Sequence, residues 1–391
     1  MILFYFLFIL SPLFGIIIYT AYLWGKTDMN SKNLWSLAIM LSVYLGCLAT
    51  THEMNGDFLG YSETFYEVPN YDFMSFILSK EKEPLYYGYN YLSYYLYGGS
   101  YKLFIFSLTL LNYLFLSYSI LTVSRNLKVK NKNVIVVLYF TMFFFQEFAA
   151  MGNLIRQCLV QSVILAFFTR RYIEKKSSWW LALSAVSIHT SCIPVLAIGM
   201  LPMLKNRLDK SVLIKLFVYL SLVILFFYIG QTYLSNLPFI GYIFNRASNS
   251  EQLMGADSWQ IDLGLSPVMK ILLLILSFML YSLYINKKQF HKTDNIYIMI
   301  NLNILLVVFM FVCNQFGMYY LLMRYSFYIY AFQNLLLLIY IHKTRFLHND
   351  IFRVIFMGIM LVYFYYEFSH NIFSYIPVLD SMVLPLPIYL F

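Results

Sequence analysis

Apolar residues run along this chain in long unbroken stretches, neither alternating as in a half-buried strand nor spaced as on a surface helix. Positions 3–24, 34–50, 103–123, 133–151, 154–172, 212–234, 267–286, 294–316, 319–341 and 351–367 are each apolar over roughly 17–24 residues, enough for a helix to cross a ~30 Å hydrocarbon layer. The pattern predicts an all-α polytopic membrane protein with about ten transmembrane helices, forming one membrane domain over 1–391. The first run is too long for a signal peptide and lacks a basic leader and a small-residue cleavage site, so it reads as a retained span.

Polar residues between the runs set the expected topology. Arg125, Lys128, Lys130 and Lys132 form one basic loop, Lys287, Lys288, His291 and Lys292 a second, and Lys343, Arg345 and Arg353 a third. Lys and Arg stay on the cytoplasmic side, which puts the acidic loop at about 51–83, the loop at about 235–266 and both termini outside. The run 179–204 does not fit a single crossing, because basic clusters flank it on both sides: Arg170, Arg171, Lys175 and Lys176 before, Lys205, Arg207, Lys210 and Lys215 after. A re-entrant helical hairpin over about 179–204 resolves the conflict, its tip at Ile188–Pro194, where polar residues and a proline interrupt the helix. Pro84 to Ser100 is Tyr-rich and reads as an interfacial helix, and the Pro-containing tail from Ser369 as an outer interfacial segment.

Composition sharpens this. Hydrophobic residues make up 61% and charged ones only 12%, far from the ~25% charge of a soluble domain. The net charge of +9 sits in short connecting loops, so it marks topology and predicts contact with the lipid bilayer, not nucleic acid. Cys47, Cys158, Cys192 and Cys313 lie in or beside apolar runs with no zinc-site or disulfide spacing, and read as core residues.

Ionisable residues inside or at the ends of spans are costly and are commonly functional. Arg156 and Gln157 open the fifth span, Arg324 and Tyr325 lie near the outer end of the ninth, and Glu147 lies about two turns inside the fourth. Asp57, Tyr61 and Glu83 belong to the first outer loop, and His189 to the hairpin tip. Structurally, Arg156 could pair with Glu147 as helix glue, and Glu83-Pro84 could be a simple helix start with an acid at the N-cap and Pro at N1. Functionally, two arginines without adequate acidic neutralisation form a fork for a phosphate or diphosphate, with carboxylates and a histidine at hand for acid–base work.

Five segments carry a resemblance: GDFLGY with Asp57 and Tyr61, KEPLYYGYNYL with Glu83 and Pro84, NLIRQCLVQS with Arg156 and Gln157, IHTS with His189 and Ser191, and the later Arg324-Tyr325. In this order they resemble the EpsG-like branch of the Wzy polysaccharide polymerases, although a basic residue often precedes the first acid there and Asn55-Gly56 stands here. The resemblance implies a GT-C-like membrane glycosyltransferase in the bacterial inner membrane, its active site facing the periplasm. It implies transfer of a growing glycan from undecaprenyl diphosphate to a new undecaprenyl-diphosphate-linked oligosaccharide, without nucleotide sugar or metal, and a chain-length co-polymerase as partner. On it, Arg156 and Arg324 would bind the diphosphate, Gln157 would orient Arg156 or a sugar hydroxyl, Glu83 or Asp57 would act as base, and His189 would contact phosphate or support an arginine. Tyr61, Tyr325 and Glu147 would complete the substrate contacts. An O-antigen ligase and a lipid-linked oligosaccharide flippase are the alternatives; the first would suit a larger second outer loop, the second two related halves.

Overall fold

The computed structural model describes residues 2–26, 30–53, 56–80, 82–206, 267–285, 295–315, 319–344, 346–370 and 375–390, with isolated positions 214, 218 and 222. Every regular element among them is helical. Apart from those three positions, the expected span 212–234 lies outside the described residues, as do the loop 235–266 and the basic loop at 287–292. The chain divides into two units, Met1–Gly199 with Leu337–Phe391, and Met200–Leu336.

In the first unit, α1 (Ile2–Leu10) and α2 (Pro12–Trp24) replace the single span expected at 3–24. Ser11 is extended and Pro12 starts a new helix, so the chain reverses. Phe4 lies against Tyr22 at 4.7 Å and Tyr19 at 5.4 Å, and Gly15 sits directly beneath the Phe8 backbone. In one continuous helix, residues seven apart would be about 10 Å apart along the axis. With 9 and 13 residues, the two helices reach only about 14 and 20 Å. Hydropathy sees the apolar content of this stretch but not its change of direction.

The centre of the unit is α3 (Ser31–Ala49) packed along α7 (Tyr101–Leu127). Both are long and apolar enough to span a membrane, as is α16 (Asp350–His370), named below with its neighbours. Asn30 and Ser100 cap α3 and α7 with their side chains. The run at 133–151 forms α8 (Asn131–Met142) and α9 (Phe145–Asn153), bent by 41° at Phe143–Phe144, and adds a fourth candidate span if the pair is read as one. The expected first outer loop is folded: α4 (Gly56–Tyr66), a 3-10 turn at Val68–Asn70 and α5 (Phe73–Ser79) pack on α6 (Pro84–Leu96). Asp72 caps α5 through Met74 N and Ser75 N, both 3.0 Å, and Lys80 pairs with Glu67 at 2.7 Å. Phe65 fills the space among Tyr94, Tyr101 and Phe104.

After α9 the chain kinks at Leu154 into α10 (Ile155–Phe168), which ends in a π-helical turn at Thr169–Ile173. Then α11 (Trp179–Ile188) runs back along α10, starting where Trp179 meets Phe167 at 6.1 Å. The helix breaks at His189, a 3-10 turn follows, and α12 (Ile193–Gly199) returns until Gly199 O accepts from Tyr172 Oη at 3.1 Å. The segment thus leaves the lower end of α10, turns at His189 and comes back.

The second unit contains α13 (Pro267–Ile285), α14 (Tyr297–Gln315) and most of α15 (Tyr319–Lys343). Asn301 donates to Leu204 O and Asn206 O at 2.7 and 2.8 Å, and Tyr325 meets Phe309 at 5.2 Å. The C-terminal part of the first unit is α16, α17 (Val378–Val383) and α18 (Leu386–Leu390). It is tied to α3 by Tyr44 Oη donating to Ser381 O at 2.8 Å and Thr50 Oγ1 to Tyr389 O at 2.9 Å.

The α1–α2 crossing gives the first prediction. A Cβ on Gly15 would lie 2.5 Å from Phe8 Cα, which only a backbone shift can relieve. Gly15→Leu is expected to cost about 1–3 kcal/mol by overpacking and to lower Tm in detergent, whereas Gly358→Leu, at a helix position with no neighbour within 4 Å, leaves it within error. Equal melting of the two variants would mean that the close crossing does not form.

Candidate functional site

Glu83, at the head of α6, is buried at 3% exposure and has a left-handed backbone, φ 62° and ψ 49°. It occupies the N-cap position ahead of Pro84, as the local signal suggests, but its side chain makes no capping hydrogen bond. One carboxylate oxygen instead accepts from Arg156 Nη1, the other from His189 Nδ1. A left-handed non-glycine residue costs of order 1–3 kcal/mol and persists only where its surroundings over-determine it.

Arg156 stands in the first turn of α10, placed there by the kink at Leu154. Its Nη1 also donates to Tyr87 Oη at 3.2 Å. Its guanidinium lies 5.3 Å from the ring centre of Tyr61 and 5.5 Å from that of Tyr86, so two aromatic faces hold it from α4 and α6. Burial pushes the hydroxyls of both tyrosines above their ordinary values, which keeps the rings neutral beside the cation. Arg156 Nε and Tyr86 Oη are buried and, among the described residues, have no hydrogen-bond partner. Gly152, one turn upstream, has its own reason: a Cβ there would come within 2.6 Å of the His52 ring, which is held by Phe58 and Tyr375.

Burial alone would push the Glu83 carboxyl up. The hydrogen bond from His189 and the charge of Arg156 outweigh it and hold the group below its ordinary value. An ionised carboxylate only accepts, so His189 donates through Nδ1, which in a neutral imidazole leaves the lone pair on Nε2. The arrangement therefore supplies an imidazole base oriented by a carboxylate, beside a cation with donor capacity left over.

The sequence-predicted residues divide. Glu83, Arg156, His189 and Tyr61 converge in one cluster. Asp57 is exposed on α4, one turn before Tyr61. Gln157 is buried next to Arg156 in the chain. Glu147 lies elsewhere: it is buried at 1% and accepts from Asn112 Nδ2 at 3.2 Å and from Gln161 Nε2 at 3.0 and 3.1 Å. The expected pairing of Arg156 with Glu147 is replaced by Arg156 with Glu83, because the kink at Leu154 separates the start of α10 from α9. Arg324 and Tyr325 are half-buried in the second unit. Tyr87 was not singled out from the sequence, although it stands one helical turn after Glu83; Asn112 and Gln161, polar positions inside apolar runs, were equally legible as partners for a buried acid. Among the described residues no group of His, Cys, Asp and Glu could hold a metal, and Cys47, Cys158 and Cys192 are buried thiols.

The cluster gives a pH prediction. Because the folded-state value of Glu83 is depressed, its contribution is complete at neutral pH and is lost as pH falls through that depressed value. Glu83→Gln is expected to cost about 1.5–3 kcal/mol at neutral pH and to flatten the acid limb of Tm against pH. An acid limb identical to wild type would show that Glu83 is not held ionised by its partners.

Neither the curated proteins nor the solved structures compared with the chain give a significant match. A family model described as the EpsG family matches residues 32–379, a stretch that includes Asp57, Glu83, Arg156, His189 and Arg324. An all-helical protein with apolar helices fit for a membrane, carrying this ordered set of residues along nearly its whole length, belongs to the EpsG family, which is associated with polysaccharide polymerases.

Proposed function

We propose that the protein is a Wzy-type polymerase that transfers a growing glycan from undecaprenyl diphosphate to the next undecaprenyl-diphosphate-linked repeat unit at the periplasmic face of the inner membrane. The observation that carries this reading is the Arg156–Glu83–His189 cluster, with its unpartnered Arg156 Nε. In the reaction, an acceptor hydroxyl attacks the anomeric carbon of the donor sugar and the bond from that carbon to the diphosphate oxygen breaks. His189 Nε2 takes the hydroxyl proton, and Glu83 stabilises the imidazolium through Nδ1–H. The electron pair leaves on the lipid diphosphate, whose growing charge Arg156 stabilises.

Glu83 is thus a positioning residue, not the base itself: a carboxylate held ionised below its usual range is a weak proton acceptor. A diphosphate that draws the Arg156 guanidinium toward itself frees one Glu83 oxygen and weakens the competing pull on the carboxylate. The carboxylate then supports His189 more strongly, so donor binding prepares the base. Tyr61 and Tyr86 hold the guanidinium plane and flank the sugar path. On this reading Asp57 and Tyr61 form the first-loop part of the acceptor site, and a chain-length co-polymerase acts as partner.

The test is the surface-glycan ladder of a deletion strain complemented with expressed wild type, Arg156→Ala, Arg156→Lys, His189→Ala or Glu83→Gln. Wild type is expected to restore a long ladder. Losing the diphosphate contact removes about 10²–10³ of the rate and losing the base about 10²–10⁴, so Arg156→Ala and His189→Ala leave single repeat units. Arg156→Lys keeps charge but not the planar fork and stays close to Ala. A deletion strain with no repeat unit on its surface would point to flipping, one that accumulates long carrier-linked polymer to ligation, and a full ladder from Arg156→Ala would remove the arginine from the chemistry.

A further inference from the structure

At the end of α3 and α7 away from the Glu83 cluster, the first turn of α3, the last turn of α7 and the start of α8 enclose a cavity of about 270 Å³. Arg125 and Lys128 line it together with Ser31, Trp35, Thr122 and Asn131, and no carboxylate is among the lining residues. Its deeper wall is apolar, formed by the buried Leu34 and Leu121. Arg125 reaches out of the cavity to Glu174 at 3.3 Å, whereas Lys128 makes no ion pair among the described residues. Lys128 is in the left-handed region at φ 54° and turns the chain from the end of α7 toward α8, and Lys130, at the head of α8, provides no side-chain cap. The N-terminus of α8, which has no side-chain cap, opens beside the two cations and adds to an anion-attracting field, while the α3 N-terminus is capped by Asn30 and the α7 C-terminus at the same place contributes the opposite sign.

We propose that this cavity binds the phosphate of an anionic lipid headgroup in the leaflet opposite the Glu83 cluster. Ser31 begins one candidate span and Lys128 caps another, which puts the cavity at headgroup depth once those helices cross a bilayer. From Tyr101 to Leu127, α7 has 27 residues and is about 40 Å long, a full membrane thickness from the site end. Trp35, one turn inside α3, has the amphipathic ring that prefers this layer. Basic residues that only mark the cytoplasmic side need no concavity; here Arg125 and Lys128, though exposed, share one with hydroxyl and amide groups, while Lys32 and Lys130 do not line it. The site would hold the α3–α7 pair at a fixed depth and leave the chemistry at the other end untouched.

The experiment uses the full chain in neutral detergent and reads Tm and retained lipid by native mass spectrometry. The additives are phosphatidylglycerol, phosphatidylcholine of the same acyl chains, and inorganic phosphate. Wild type is compared with Arg125→Gln/Lys128→Asn, where Asn tolerates the left-handed cap, and with Lys32→Gln/Lys130→Gln, which removes the same charge outside the cavity. Phosphatidylglycerol, and not phosphatidylcholine, is expected to raise Tm and to be retained by wild type and the surface pair, with loss of most of both effects in the cavity pair. A cavity pair that melts early on its own is still read by lipid retention, and Lys128→Asn alone shows an intermediate loss. Inorganic phosphate that reproduces the Tm rise, with the same loss in the cavity pair, keeps the phosphate site and makes free phosphate its occupant. Equal loss in cavity and surface pairs overturns the proposal in favour of diffuse surface charge, and equal retention of the two lipids overturns headgroup recognition.

Discussion

A single carboxylate ties together three helices that are far apart in the chain. Glu83 reaches 73 residues forward to Arg156 and 106 to His189, and so fixes the head of α6, the kinked start of α10 and the turn at the end of α11 against one another. Each of the three is an interruption of regular backbone: a left-handed residue, a kink and a helix break. The backbone at each keeps local hydrogen bonds, Leu154 N to Ala150 O at 2.7 Å and His189 N to Ala185 O at 2.9 Å, but the ionisable side chains presented there find their partners only across the cluster. The ion cluster therefore holds the fold at this end as much as it defines a site. Removing one partner would leave a buried charge without compensation, which is far more costly than the pair itself is stabilising.

Much of this was legible in the sequence as separate signals. Glu-Pro at the start of a Tyr-rich helix, Arg-Gln at the start of an apolar run and His at a polar interruption each stand out, because each breaks a local rule. Their meeting is a tertiary fact, and no window of sequence contains it. The α1–α2 reversal was missed for a related reason. Hydropathy averages over positions 3–24 and is blind to direction, although Ser11-Pro12 and Gly15 carry the signal of a break and a close crossing. The folded loop of α4 and α5 escaped notice because its apolar residues, such as Phe65 and Phe76, are spaced too sparsely for a span yet pack fully once α6 and α7 are beside them.

The two buried acids show how environment separates residues that look alike in the sequence. Glu83 meets an arginine and an imidazole, and its charge is compensated by charge. Glu147 meets two primary amides, and among the described residues no Lys, Arg or His pairs with it. The amides supply hydrogen bonds without a countercharge, which suits a group joining α7, α9 and α10 inside the bundle. On sequence alone Glu83 is a candidate base and Glu147 a substrate contact of the same site. What separates them is the kink at Leu154, which turns the first residues of α10 toward α6 and leaves Gln161, further down the same helix, to face Glu147.

The backbone of Glu83 makes the same point from the side of energy. A glycine in that position would avoid the left-handed penalty, and Pro84 already fixes the start of α6. The strain is instead retained with a carboxylate in place, and it directs that carboxylate away from its own helix. An ordinary N-cap would have its oxygen on the first free N–H groups of α6. The departure from the local rule thus goes together with the long-range contacts: the carboxylate that gives up its own cap serves a cation and an imidazole at once.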